Sequence, residues 1–135
     1  MVAPRLIHGE VTEGIIGCFY DVYNILGFGY LENVYASALA RDLARAGHSV
    51  GREVPTPVMY KEEIIAHYRM DMVVDGCVVV ELKSSRLLPP DCERQVYNYL
   101  RATDFEVGLL LHFGPKPKFS RMLLTADHKP RGLDG

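Results

Sequence analysis

The stretch Arg69-Met70-Asp71-Met72-Val73-Val74-Asp75-Gly76-Cys77-Val78-Val79-Val80-Glu81-Leu82-Lys83 decides the fold. It reads as two apolar strands joined by an Asp75-Gly76 turn, with Asp71, Glu81 and Lys83 interrupting segments otherwise built for a core. Glu81 and Lys83 are two residues apart and share one face of a strand. The face of Asp71 depends on the turn. A two-residue loop of Asp75 and Gly76 pairs Asp71 with Val80 and turns it away from Glu81. A three-residue loop, Val74 to Gly76 with Gly76 left-handed, pairs Val73 with Cys77 and Asp71 with Val79, so all three charges share a face. That register also gathers Met70, Met72, Val78, Val80 and Leu82 on the opposite, core-facing side, and it is the one expected here.

Two carboxylates and a lysine side by side on buried strands need a reason, because an unpaired charge removed from water costs roughly several kcal/mol, comparable to the stability of a domain. A divalent cation relieves the repulsion of the carboxylates, and hard oxygen ligands select magnesium or manganese over zinc. The lysine adds positive charge where an anionic transition state would form. The plain alternative is a structural salt bridge of Lys83 with Glu81 or Asp71.

The 135 residues form one expected domain, with a core over about 11–124 and a mobile tail over 125–135. A net charge of −2 gives no general coat for nucleic acid, so any such contact must come from a local patch. Cys18, Cys77 and Cys92 have no paired spacing, which argues against zinc or an iron-sulfur cluster. No apolar run approaches the roughly eighteen residues of a membrane span and no signal-peptide pattern opens the chain, so the expected location is the cytoplasm, without membrane contact.

Helical spacing of Ile15, Ile16, Phe19, Val22, Tyr23 and Leu26 predicts a first helix from an N-cap at Thr12 to about Leu26. A second runs from about Tyr30 to Ala46, with Leu31, Val34, Tyr35, Ala38, Leu39 and Leu43 as its buried stripe. Val50–Tyr60 is a strand whose Pro55 and Pro57 suit a sheet edge, and the hairpin strands follow. Pro89 and Pro90 open a third helix reaching about Ala102, on which Gln95 and Tyr99 face the same way. The apolar run Val107–Phe113 reads as a strand covered on both faces, reached by a crossover and parallel to the strand carrying Glu81. Phe119–Leu124 forms a last edge strand. The fold class is therefore α/β, a mixed sheet of an antiparallel meander plus a parallel crossover strand, flanked by helices.

Taken together, Gly29-Tyr30-Leu31-Glu32-Asn33-Val34-Tyr35, Asp71, Glu81-Leu82-Lys83 and the Gln95-to-Tyr99 spacing resemble the PD-(D/E)XK nuclease superfamily with its restriction-endonuclease-like core. Within it they resemble the small bacterial branch named after GxxExxY, with the QxxxY motif of RecB-like members. Two departures stand out: Val22-Tyr23 where the branch has Val-His, and Leu26-Gly27-Phe28-Gly29 where it has Leu-Gly-Pro-Gly. The resemblance implies Asp71 and Glu81 as metal ligands with the Leu82 carbonyl, Glu32 completing the shell, and Lys83 acting on the attacking water and the transition-state charge. Gln95 and Tyr99 would orient the substrate or support Lys83. The implied cofactor is Mg2+, with Mn2+ as a substitute, and the implied reaction is phosphodiester hydrolysis of nucleic acid, DNA before RNA.

Tyr35, Arg86, Arg94, Arg101, Lys116, Lys118 and Arg121 are the candidate substrate contacts. The competing reading is a non-catalytic nucleic-acid-binding or regulatory module that keeps the fold. A homodimer or larger complex fits a domain of this size.

Overall fold

Apolar residues recurring every three to four positions, then alternating, produce two helices before the first strand. The computed structural model describes residues 6–129. Its elements are α1 (Gly9–Leu26), α2 (Glu32–Arg45), β1 (Val50–Tyr60), β2 (Glu63–Val74), β3 (Val78–Ser84), α3 (Cys92–Arg101), β4 (Val107–Phe113), β5 (Pro117–Leu123) and a 3-10 turn at Ala126–His128. α1 starts a turn before the expected cap: Thr12 lies inside the helix, where its hydroxyl donates to the Gly9 carbonyl at 3.1 Å.

The five strands lie in chain order, antiparallel except for the parallel pair β3 and β4 that α3 connects. This is the mixed, restriction-endonuclease-like α/β sheet expected from the sequence. α1 and α2 cover one face, packing Phe19, Tyr35, Leu39 and Leu43 onto Met72, Val80, Leu82, Leu111 and Phe113. α3 covers the other, packing Val96, Tyr99 and Leu100 onto Val73, Val79 and Leu110. Every residue of β4 is buried. α3 approaches so closely that a Cβ on Gly108 would lie 2.5 Å from Val96 Cγ1.

The hairpin differs from expectation in register. Met72 pairs with Val80, Val73 with Val79 and Val74 with Val78, so the three-residue loop is Asp75-Gly76-Cys77, displaced by one residue from the expected Val74–Gly76. Both Asp75 (φ 53) and Gly76 (φ 63) are left-handed, and Asp75 is held there by its carboxylate, which accepts from the Ser49 N–H at 2.8 Å. Asp71 now faces the level of Glu81 rather than Val79.

A second correction concerns Met70, which packs with Val79 and Tyr99 on the α3 side although Met72 packs on the α1–α2 side. The strand turns over between them. Asp71 has no ladder partner in β1 or β3, and Glu53, level with it on β1, has φ 51. In α2, Leu31 and Val34 leave the expected buried stripe, with Leu31 80% exposed at the helix entrance. Of the expected mobile tail, 130–135 lie outside the described residues. Within 125–129, the Lys129 ammonium donates to the carbonyls of Leu100, Thr103 and Phe105 behind α3.

Candidate active site

The break in the β2–β3 ladder opens the place where the charged side chains meet. Past Met72 and Val80 the strands no longer bridge, and the Asp71 carboxylate fills the gap: the Leu82 N–H donates to Asp71 Oδ2 at 3.0 Å. Glu81 is 2% exposed. Its Oε2 lies 3.2 Å from Lys83 Nζ, while its Oε1 is buried without any hydrogen-bond partner among the described residues.

Burial first, and the charge of Asp71 second, push the Glu81 carboxyl up to about 8, with Lys83 offsetting this only in part. Burial also works against the Lys83 charge, but Glu81 and then Glu32 outweigh it and hold the ammonium above its usual range. The result is a lysine that stays protonated beside a carboxylate lacking one partner.

Glu32 begins α2 and reaches β3 from the other side of the sheet edge, its Oε2 accepting from the Ser84 N–H at 3.4 Å. The Ser84 hydroxyl donates to the Tyr30 carbonyl, so the α2 entrance is tied to the end of β3. Gly29 (φ 120) makes the bend that delivers the helix there. Tyr35 is turned inward, not toward a substrate: it is fully buried, stacks on Phe113 at 4.0 Å between ring centres, and its hydroxyl donates to the Gly27 carbonyl. Its part is to hold the Gly27–Gly29 turn.

On the opposite face, Gln95 Nε2 donates to the Tyr99 hydroxyl at 2.7 Å, and that hydroxyl donates to the Arg69 carbonyl at 3.2 Å. Tyr99 is buried, and burial, then the Glu81 charge, raises its pKa. Tyr99 therefore braces the strand that carries Asp71, while Gln95 shares a hollow of about 430 Å³ with Lys83, Tyr68, Cys92 and Arg94. A smaller hollow of about 220 Å³, on the α2 side, is lined by Glu32, Asn33, Arg52, Glu53, Asp71 and Leu82. Lys83 lines the larger hollow and Asp71 the smaller.

Of the expected substrate contacts, Arg94 lines the larger hollow, and Arg86 sits at the loop after β3 with its guanidinium 5.8 Å from the centre of the Phe28 ring. Lys116 and Lys118 belong to the β4–β5 turn and the start of β5, which the pairing of Ser84 with Phe113 and of His112 with Lys118 brings to the same sheet end. Arg101 does not join them, standing at the far end of α3, roughly 9 Å along the helix axis from Gln95. Arg121 donates to the Ile7 carbonyl at 2.6 Å and anchors the chain before α1 instead.

Sequence reasoning missed several residues here. Arg52 clamps α2 by donating to Ser37 Oγ and Asn33 Oδ1, both at 3.2 Å. Buried His112 donates through Nε2 to the Ser85 carbonyl at 2.8 Å and fixes the loop after Lys83. Glu53 reaches the smaller hollow through its left-handed backbone. None carries a motif signal; the two prolines downstream of Glu53 were the one hint of irregular strand.

The expected four-part metal shell is not reproduced as such. Among the described residues, no three His, Cys, Asp or Glu side chains converge on one ion-sized point. The pair Asp71 and Glu81 suits a hard divalent cation, because the orphaned Glu81 Oε1 is a buried carboxyl oxygen beside a second carboxyl group, and a cation there would favour the ionised form that burial and Asp71 disfavour. Glu32 is turned to the Ser84 amide.

The model of the PD-(D/E)XK nuclease superfamily matches residues 9–122, every element from α1 to the end of β5 but its last residue. The chain belongs to the PD-(D/E)XK nuclease superfamily. The superfamily is one of nucleases. In fold this superfamily member is similar to the crystal structure of SSO0001, at a TM-score of 0.54 and 21% identity. The match covers 90% of this chain and 61% of that one, so the chain spans about three fifths of that structure's length. No curated protein matches it by sequence. No described helix is long and apolar enough to cross a membrane.

Proposed function

We propose that the protein is a Mg2+-dependent phosphodiesterase of the GxxExxY branch that cleaves DNA. The observation that carries this reading is the Glu81 carboxylate, 2% exposed, pushed up in pKa, with one oxygen unpartnered. A structural salt bridge has no use for that oxygen, whereas a cation-binding carboxylate needs it.

Asp71 and Glu81 would hold the cation, with the Leu82 carbonyl as the backbone ligand and Mn2+ as a substitute. The cation supplies a nucleophile at neutral pH and screens the phosphate charge. Lys83, protonated and 3.2 Å from Glu81, orients the attacking water and balances the charge that grows on the phosphate oxygens. Glu32 holds the end of β3 through Ser84, and its charge supports Lys83. Gln95 and Tyr99 act as the QxxxY pair, Gln95 toward substrate and Tyr99 as the brace on β2.

Arg86, Arg94, Lys116 and Lys118 take phosphates along the sheet end. The rim beside them exposes Tyr30, and Phe28 with the Arg86 guanidinium over its ring, aromatic surfaces that suit unpaired bases, so ends and single strands are the favoured form of DNA. The test is cleavage of labelled single- and double-stranded DNA and RNA with magnesium, manganese or chelator, beside Lys83→Ala and Asp71→Ala. Metal-dependent cleavage lost in both variants is expected. Equal cleavage by wild type and both variants would sink the reading.

A further inference from the structure

We propose that the outer edge of β2 is an interface at which two copies of this chain join their sheets across a two-fold axis. β1 and β2 run on together well past the rest of the sheet, ending in the Lys61-Glu62 turn, whose two residues are left-handed (φ 48 and 68). β3 bridges β2 only at Met72–Val74. Among the described residues, Glu63 to Met70 therefore has a strand neighbour on one side alone, and a two-stranded ribbon by itself is marginally stable.

The two edges of this ribbon are treated differently. The Arg69 carbonyl accepts from Tyr99, so it points away from β1, and the pair Pro55–Arg69 is one whose backbone groups face outward on both strands. Two residues on, the pair Pro57–His67 does the same. Both prolines of β1 thus sit at outward positions and strip that edge of donors, a device that prevents pairing. The β2 edge has no proline from Glu63 to Val74 and keeps its amides. It also exposes large apolar side chains, Ile64 and Ile65 at 55% and 60%. The β1 edge is closed to partners, whereas the β2 edge is open from Glu63 to His67, with α3 reaching it through Tyr99 at Tyr68 and Arg69.

The occupant that the open edge fits is itself. An antiparallel pairing about a two-fold axis at Ala66 sets Glu63 against Arg69 twice and Ile64 against Tyr68 twice, opposite charges and an apolar–aromatic pair in one register. Nucleic acid fits poorly, since Glu62 and Glu63 flank the tip. Asp71 lies two residues beyond Arg69 on the same strand, so the contact stiffens the strand that feeds the candidate site.

Charge exchange in the full chain tests this. Glu63→Arg alone, or Arg69→Glu alone, sets like charges against each other at both ends of the interface, whereas a one-to-one mixture of the two variants restores opposite charges in the mixed pair. Sedimentation velocity up to about 100 μM is expected to show a wild-type dimer, dissociation constants raised about tenfold or more in each single variant, and dimers again in the mixture. Circular dichroism checks that each variant is folded, and the mixture makes the result independent of any general weakening. A wild type that stays monomeric, single variants that dimerise as it does, or a mixture that stays monomeric would each overturn the proposal.

Discussion

The two ends of the β2–β3 hairpin both carry carboxylates next to a basic side chain, and they are built in opposite ways. At the turn, Asp75 has a partner for each oxygen: Oδ1 accepts from the Ser49 N–H at 2.8 Å and Oδ2 lies 2.7 Å from His48 Nδ1. Its pKa is lowered, by the His48 hydrogen bond first and the Ser49 amide second. At the open end, Glu81 has Lys83 on one oxygen and, among the described residues, no donor on the other, and burial and the neighbouring Asp71 carboxyl raise its pKa. One carboxylate is at rest when ionised; the other is not. The first arrangement stabilises a turn, and the second disfavours ionisation, which a bound cation would favour.

The largest effect that separates the two ends is on activity. Under the proposed chemistry, Lys83→Ala or Glu81→Gln lowers the rate of metal-dependent cleavage by at least about 100-fold, the scale of removing one group that stabilises transition-state charge. Asp75→Asn leaves that rate essentially unchanged. Single-turnover rates at saturating metal measure this, and a comparable loss in Asp75→Asn would erase the distinction.

The second effect is on stability against pH. Glu81 rises from an ordinary carboxyl value to about 8 on folding, so the folded chain binds its proton more tightly than the unfolded chain. Its contribution is fully present below the unfolded pKa and is lost as pH rises through about 8. Metal-free protein should therefore lose a few kcal/mol between about pH 5 and pH 8, since each tenfold difference in proton affinity between the folded and unfolded chain is worth about 1.4 kcal/mol. Glu81→Gln flattens that slope, and magnesium restores stability at the high end while releasing protons. Urea unfolding at several pH values, with and without magnesium, reads all three outcomes.

The sheet was legible because β4 is apolar throughout and the helices keep their spacing, so tertiary burial agrees with local pattern. The hairpin register was not, because Asp75 adopts a left-handed backbone that its contacts with Ser49 and His48 support, and those residues lie 26 and 27 positions away. The face of Met70 was missed for a related reason. Alternation assumes an unbroken ladder, and the break at Asp71 is itself the feature that opens the site. Tyr35 shows the limit of motif reasoning: its type and spacing suggest a substrate contact, but its stacking on Phe113 depends on a strand some eighty positions later, about which local pattern says nothing.

A smaller effect follows from that placement. Tyr35→Phe keeps the stack and removes the hydroxyl that donates to the Gly27 carbonyl and accepts from the Tyr30 N–H, so it should cost about 1 kcal/mol of stability. The turn it releases leads into Glu32, so cleavage should weaken modestly with the metal affinity unchanged. Chemical denaturation and a metal titration separate these outcomes.

The smallest effect belongs to the turn end. His48 and Asp75 are both partly solvent-exposed, so their pairing is screened, and His48→Ala should cost no more than about 1 kcal/mol. Its pH dependence has the opposite sign to that of Glu81. A lowered pKa makes the Asp75 contribution present above the unfolded value and lost as pH falls through the folded one, so the difference between wild type and Asp75→Asn should vanish in acid. Two carboxylates on one hairpin would then pull the stability curve in opposite directions. Measuring both variants on one pH series decides whether the ends differ in kind, as their unpartnered and fully partnered oxygens indicate, or only in degree of burial. If burial alone were responsible, Asp75→Asn would follow Glu81→Gln with the same sign and a smaller slope.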